Sequence, residues 1–118
     1  MRRVPLLLAA VAALVALLYL RRGPARAADD QGMRERLTRL AAAEDSFHAA
    51  HHRYADRSEL TELGTVPRVT IAVIADSTRY VALATSSTSR MQCLVWAGSP
   101  RPATAEDAPP GVPQCWTP

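Results

Sequence analysis

Glu44, His48 and His52 follow one another at intervals of four residues, with His51 beside them, and no other set in the 118-residue chain has types and spacing so suited to chemistry. On a helix this interval stacks side chains on one face, so a carboxylate and two imidazoles would point the same way. The imidazole pair could then chelate zinc or copper. A metal centre needs three or four ligands held by supporting hydrogen bonds, and no distant His or Cys is obviously free to complete this one. Glu44, His48 and His52 therefore read first as polar residues on the solvent side of an amphipathic helix, with His51 near its apolar stripe, and only second as a metal site. A Cys-His nucleophile pair built from Cys93 or Cys115 lacks an orienting group and an oxyanion-stabilising loop. Asp76 and Asp107 form no recognisable acid-base pair. The expectation is a protein that is not an enzyme and holds no cofactor.

The elements that must position these residues are legible in the periodicity. Met33, Leu37, Leu40, Phe47 and Tyr54 recur at spacings of three, four and seven, which predicts a helix over about 31–55 that lays Leu37, Leu40, Phe47 and Tyr54 on a sheet. The small residues Ala42, Ala43, Ala49 and Ala50 would let another element approach closely. Ser58, Glu59 and Glu62 suit one short turn carrying Leu60 and Leu63, which Gly64 and Pro67 end. Three runs of strand character follow, at about 69–74, 79–85 and 91–96. Asp76-Ser77 reads as a tight turn, and residues 86–89 as a polar loop. Alternation puts Val69, Ile71 and Val73 on one face, and sets Tyr80, Ala82 and Ala84 opposite Val81 and Leu83. Connections this short fit an antiparallel meander, because parallel strands need long crossovers. The fold class is α+β: an N-terminal apolar helix continuing into an amphipathic helix, which packs on a small antiparallel sheet of three to four strands. An irregular tail from Gly98 to Pro118 holds most of the prolines.

Residues 1–27 form a separate segment from the domain at 28–118. Its apolar run, Val4 to Leu20, contains Val4, Leu6, Leu7, Leu8, Val11, Leu14, Val15, Leu17, Leu18 and Leu20 and no charge. A cationic start and the Ala25-Arg26-Ala27 pattern suit a secretory signal cleaved after Ala27. The run exceeds the usual signal core of about 7 to 15 residues, and Arg21-Arg22 sits awkwardly before the cleavage point. As a helix it spans roughly 25 Å, close to the thickness of a hydrocarbon core, with flanking arginines able to snorkel. A retained membrane anchor fits these features. Gly23-Pro24 is expected to kink or interrupt the helix on leaving the membrane, and Asp29-Asp30 to cap a new turn.

All fourteen basic residues are Arg, and the net charge of +3 arises around the apolar run, since every one of the 11 acidic residues lies at or beyond Asp29. The domain is slightly acidic and has no basic stripe with interleaved aromatics, so nucleic acid is not an expected partner. Beyond a membrane, Cys93 and Cys115 read as a disulfide closing a loop of about twenty residues, worth about 3 kcal/mol and able to hold the proline-rich tail.

This layout resembles the type IV pilins and the pseudopilins of type II secretion. The likeness covers nearly the whole chain: basic start, apolar helix, Pro24, and then LAAAEDSFHAAHHRYADRSELTEL leading into a small sheet. Phe47 and Tyr54, seven apart and followed by a leucine-bearing turn, are similar to the pattern after the pilin spine helix. TRYVALATSSTSRMQCLVWAG is similar to the pilin sheet, and Cys93 with Cys115 resembles the C-terminal disulfide of the family. The prepilin processing site and the acid that follows it have no counterpart here. In the register set by Pro24 the acidic position falls on Leu7, and the processing site falls among Met1 to Arg3. The resemblance implies a membrane-anchored envelope protein with a structural or interaction role, its head on the periplasmic or outer side of the inner membrane. The expected partners are the cytoplasmic membrane and other pilin-like subunits or secretion components. The alternative is a secreted or periplasmic binding module released after Ala27, with metal held by the helical His pair.

Overall fold

The structure, a computed structural model, describes residues 4–105 and 107–118, and for residues 4, 5 and 19–26 the backbone alone. The cationic start at Arg2-Arg3 and the side chains of Val4, Leu20, Arg21 and Arg22 lie outside that description. One helix, α1 (Val4–His51), carries the first half of the chain. The backbone stays helical through Gly23-Pro24, so the expected interruption does not occur. Asp29 is accordingly an interior helix residue rather than the cap of a new turn.

The second half of α1 buries one stripe. Met33, Leu37, Leu40 and Ala41 are sealed from solvent at helical spacing, and the stripe continues at Glu44. They pack on a four-stranded antiparallel sheet in the order β1 (Val69–Ala75), β2 (Arg79–Ser86), β3 (Gln92–Gly98), β4 (Gln114–Trp116). The sheet meets the helix with Tyr80, Ala82 and Ala84 of β2 and Cys93 and Val95 of β3. The two alanines present little side chain, which brings the α1 leucines close to the strand. The expected alternation of β2 therefore holds, since Val81 and Leu83 lie on the opposite face. Burying both faces of β3 gives its continuous apolar run a use: Leu94 and Trp96 form a second cluster with Ala105 and Ala108 of the C-terminal segment. Trp96 Nε1 donates to Ala108 O at 3.1 Å, satisfying the indole there.

Several boundaries differ from expectation. α1 ends at His51 and not near residue 55, because His52 adopts a positive φ of 58° while its N–H still bonds His48 O at 2.9 Å. That left-handed residue turns the chain out of the helix. Tyr54 then reaches the sheet by a different route: its N–H bonds Asp76 O at 2.9 Å, and its ring stands 5.1 Å from that of Tyr80. The third strand begins at Gln92 and runs to Gly98, two residues past the expected end. The tail is not wholly irregular, since β4 pairs Gln92 with Trp116, Cys93 with Cys115 and Leu94 with Gln114. Between α1 and β1, two 3-10 turns, Arg57–Glu59 and Thr61–Leu63, press Leu60 and Leu63 into the core, as the short leucine-bearing turn anticipated. Asp76 makes the first hairpin, its Oδ1 accepting from Thr78 N, Thr78 Oγ1 and Arg79 N at 2.7, 2.7 and 3.0 Å.

Candidate functional site

The four-residue series on α1 does not gather. Glu44 is fully buried in the helix-sheet core, not on the solvent side. Its Oε1 accepts the Ala55 N–H at 2.6 Å, while Oε2 is buried with no partner. His48 stacks on Tyr54 with ring centroids 4.3 Å apart, and His51 lies 4.1 Å from the Phe47 ring. His52 has already left the helix. Among the described residues no group of three His, Cys, Asp or Glu side chains could hold a metal ion. Burial pushes the Glu44 carboxyl up to about 7, opposed by the Ala55 hydrogen bond and reinforced by Asp56, Glu59 and Asp45. Leu37 and Leu40 are fully buried, and Phe47 and Tyr54 are half-buried against the same core.

The largest uncovered feature is the first half of α1. Leu6, Leu7, Leu8, Val11, Leu14, Val15, Leu17 and Leu18 are each between 53% and 73% exposed, so none of the described residues covers this segment. A helix hydrophobic all round requires an apolar surrounding from elsewhere. Among the described residues no helix is long and apolar enough to cross a membrane.

Where this stalk meets the head, Asp29 ties α1 to one end of the β1–β2 pair. It is 5% exposed and bonds the Thr88 hydroxyl, Arg68 at 3.1 Å and, more weakly, Ser86 Oγ at 3.5 Å. The Thr88 hydrogen bond, with the nearby Arg68 charge, holds the Asp29 carboxyl below its usual range against the opposing effect of burial. Asp29 was legible only as a carboxylate near a helix start; its partners lie 39 and more residues away in the chain.

Cys93 and Cys115 form the expected disulfide across β3 and β4. A long N-terminal helix thus packs on a four-stranded antiparallel sheet with a disulfide near the C-terminus, an arrangement compatible with a pilin-like fold. Compared with known protein families and with curated proteins, the chain matches none.

Proposed function

We propose that this is a pilin-like, membrane-anchored envelope protein with a structural or interaction role, its head held outside the cytoplasmic membrane. The observation that carries this reading is the uncovered apolar half of α1, continuous with the helix that forms the core of the head. The described apolar side chains from Leu6 to Leu18 cover about 20 Å of helix, and the full run to Leu20 reaches roughly 25 Å. Such a stalk inserts into a bilayer, and Arg21 and Arg22 follow where headgroups begin. A disulfide that ties the tail to the sheet suits an oxidising compartment. The order of stalk, neck, sheet and disulfide supports the pilin-like assignment, with other pilin-like subunits or secretion components as partners. The secreted metal-binding alternative draws less support, since His52 lies beyond the end of α1 and Glu44 Oε1 accepts from Ala55.

Fractionation of producing cells, with the mature N-terminus determined by mass spectrometry, tests the reading. An intact or near-intact start in the membrane fraction, resistant to carbonate extraction, is expected. Replacing Val11 and Leu14 with Arg should move the protein out of that fraction. A soluble product starting at Ala28 would overturn the anchor.

A further inference from the structure

Glu44 stands where the head can open. The connection after α1 leaves at His52, bonds Asp76 O through the Tyr54 N–H, and returns over the helix through Leu60 and Leu63 to β1. Its far end is clamped: the Arg36 guanidinium donates to Leu63 O, and Arg57 donates to Gly64 O at 2.7 Å. Its near end is held to α1 by one buried hydrogen bond among the described residues, the Ala55 N–H on Glu44 Oε1, flanked by two ring contacts nearer the surface, His48 on Tyr54 at 4.3 Å and Arg53 over Phe47 at 4.8 Å. Ala55 is fully buried, so the loop at this point is the lid over the carboxyl.

The site is built for a neutral carboxyl. An ionised carboxylate presents two oxygens that each need donors or water, and a buried one left short of them is costly. Here Oε1 has one donor and Oε2 none. The charged and titratable groups around it are Asp45 on the helix, Tyr54, Asp56 and Glu59 in the loop, and Tyr80 in the sheet. Arg53, in the same loop, is occupied by both carboxylate oxygens of Glu59, at 2.8 and 2.6 Å, and lies over the Phe47 ring. The Tyr80 hydroxyl is itself buried without a partner. Asp45, Asp56 and Glu59 all oppose a second negative charge here.

We infer that the segment from His52 to Leu60 is a pH-gated latch, closed on a protonated Glu44 and lifted at Ala55 when the carboxyl ionises and draws in water. The Glu44 bond is the buried hydrogen bond by which the lid meets α1 near Ala55, while the Arg36 clamp keeps the far end in place. The opening is therefore local and leaves the helix on its sheet. A carboxyl pushed to about 7 puts the transition near neutrality. The inference stands on the head alone and does not depend on where the stalk resides.

The test uses the full chain in detergent micelles, followed by NMR between pH 5 and 8.5. The Glu44 side-chain carboxyl carbon should titrate near neutrality, and the Ala55 amide protection factor should fall about tenfold or more in step with it, since one pH unit past the midpoint ionises most of the carboxyl. The Val95 amide, under the helix, should keep its protection. In Glu44→Gln, which keeps the acceptor for Ala55 but cannot ionise, the change at Ala55 should disappear. Since imidazoles stand at the same end of the helix, an opening that persists in that variant belongs to another group and overturns the assignment. Titration of the wild-type Glu44 carbon in the ordinary glutamate range, or ionisation with Ala55 protection unchanged, overturns the latch without reference to any variant.

Discussion

Cys93 and Cys115 stand directly opposite each other in the β3–β4 pairing, their Cα atoms 4.0 Å apart, with 22 residues of separation between them in sequence. β4 is only three residues long and makes no other strand pairing. Closing a loop of this size removes chain entropy from the unfolded state worth about 3 kcal/mol. Reducing the full-length protein should lower its stability to urea by about that amount, and the Gln114, Cys115 and Trp116 amides should lose exchange protection before those of β2. Reduction is a cleaner probe than substitution, because Cys93 is fully buried and a serine there would add the cost of a buried hydroxyl.

Asp29 ties α1 to the sheet through Arg68, Thr88 and Ser86. Replacing it with Ala leaves the Thr88 hydroxyl and the Arg68 guanidinium without their shared acceptor. Trypsin should then cleave after Arg34 several-fold faster in Asp29→Ala than in wild type, with β-sheet circular dichroism little changed. Asn at this position should recover part of the protection, since it keeps an acceptor but not the charge that faces Arg68. Because the Asp29 carboxyl lies below its ordinary value, its contribution is present above the unfolded pKa near 3.8 and is lost as the pH falls through the lower folded value. The difference between Asp29→Ala and wild type should therefore shrink in acid.

Gly98 ends β3 at a φ of 99°, and a Cβ there would run into Thr78 O and come within 2.6 Å of Arg79 Cα. Both the backbone conformation and the contact exclude a side chain, and neither neighbour is a flexible tip that could swing aside. Gly98→Ala should cost about 2 to 3 kcal/mol in denaturant unfolding. Gly111→Ala, also at positive φ but with open space around it, should cost less, through backbone strain alone.

Local pattern sufficed where local pattern sets the structure. Leu37 and Leu40 were visible as core because α1 presents them at helical spacing to a single neighbour, and Tyr80, Ala82 and Ala84 because β2 alternates. Asp76 was visible as a turn because its side chain satisfies amides two and three residues on. Glu44 was misread because residue type and helical spacing assign a carboxylate to solvent. Only the return of Ala55, 11 residues later, closes over it, and that return depends on the positive φ at His52. The role of Asp29 was hidden for the same reason, its partners being set by sheet register. β4 escaped because three residues among prolines have no period, and its place follows from the disulfide and from Leu94 and Trp96 needing cover.

Glu44 should make the head less stable in alkali than in acid, and the sign follows from its two protonation states. Its folded value of about 7 lies above the ordinary glutamate value of 4.5, so the folded state binds the proton more tightly than the unfolded chain does. The resulting stability is fully present below pH 4.5 and is lost as the pH rises through 7. The loss at pH 8 is on the order of 3 kcal/mol at most, since water admitted under the loop relieves part of it. Glu44→Gln should match wild type near pH 4 and exceed it near pH 8 in urea or thermal unfolding. Glu44→Ala should behave differently: it removes the acceptor of a buried Ala55 N–H and leaves a hole in the core. It should be less stable than Glu44→Gln by about 2 to 4 kcal/mol at every pH. A Glu44→Gln variant that is no more stable than wild type at pH 8 would place the ionising carboxylate in water, in conflict with its full burial.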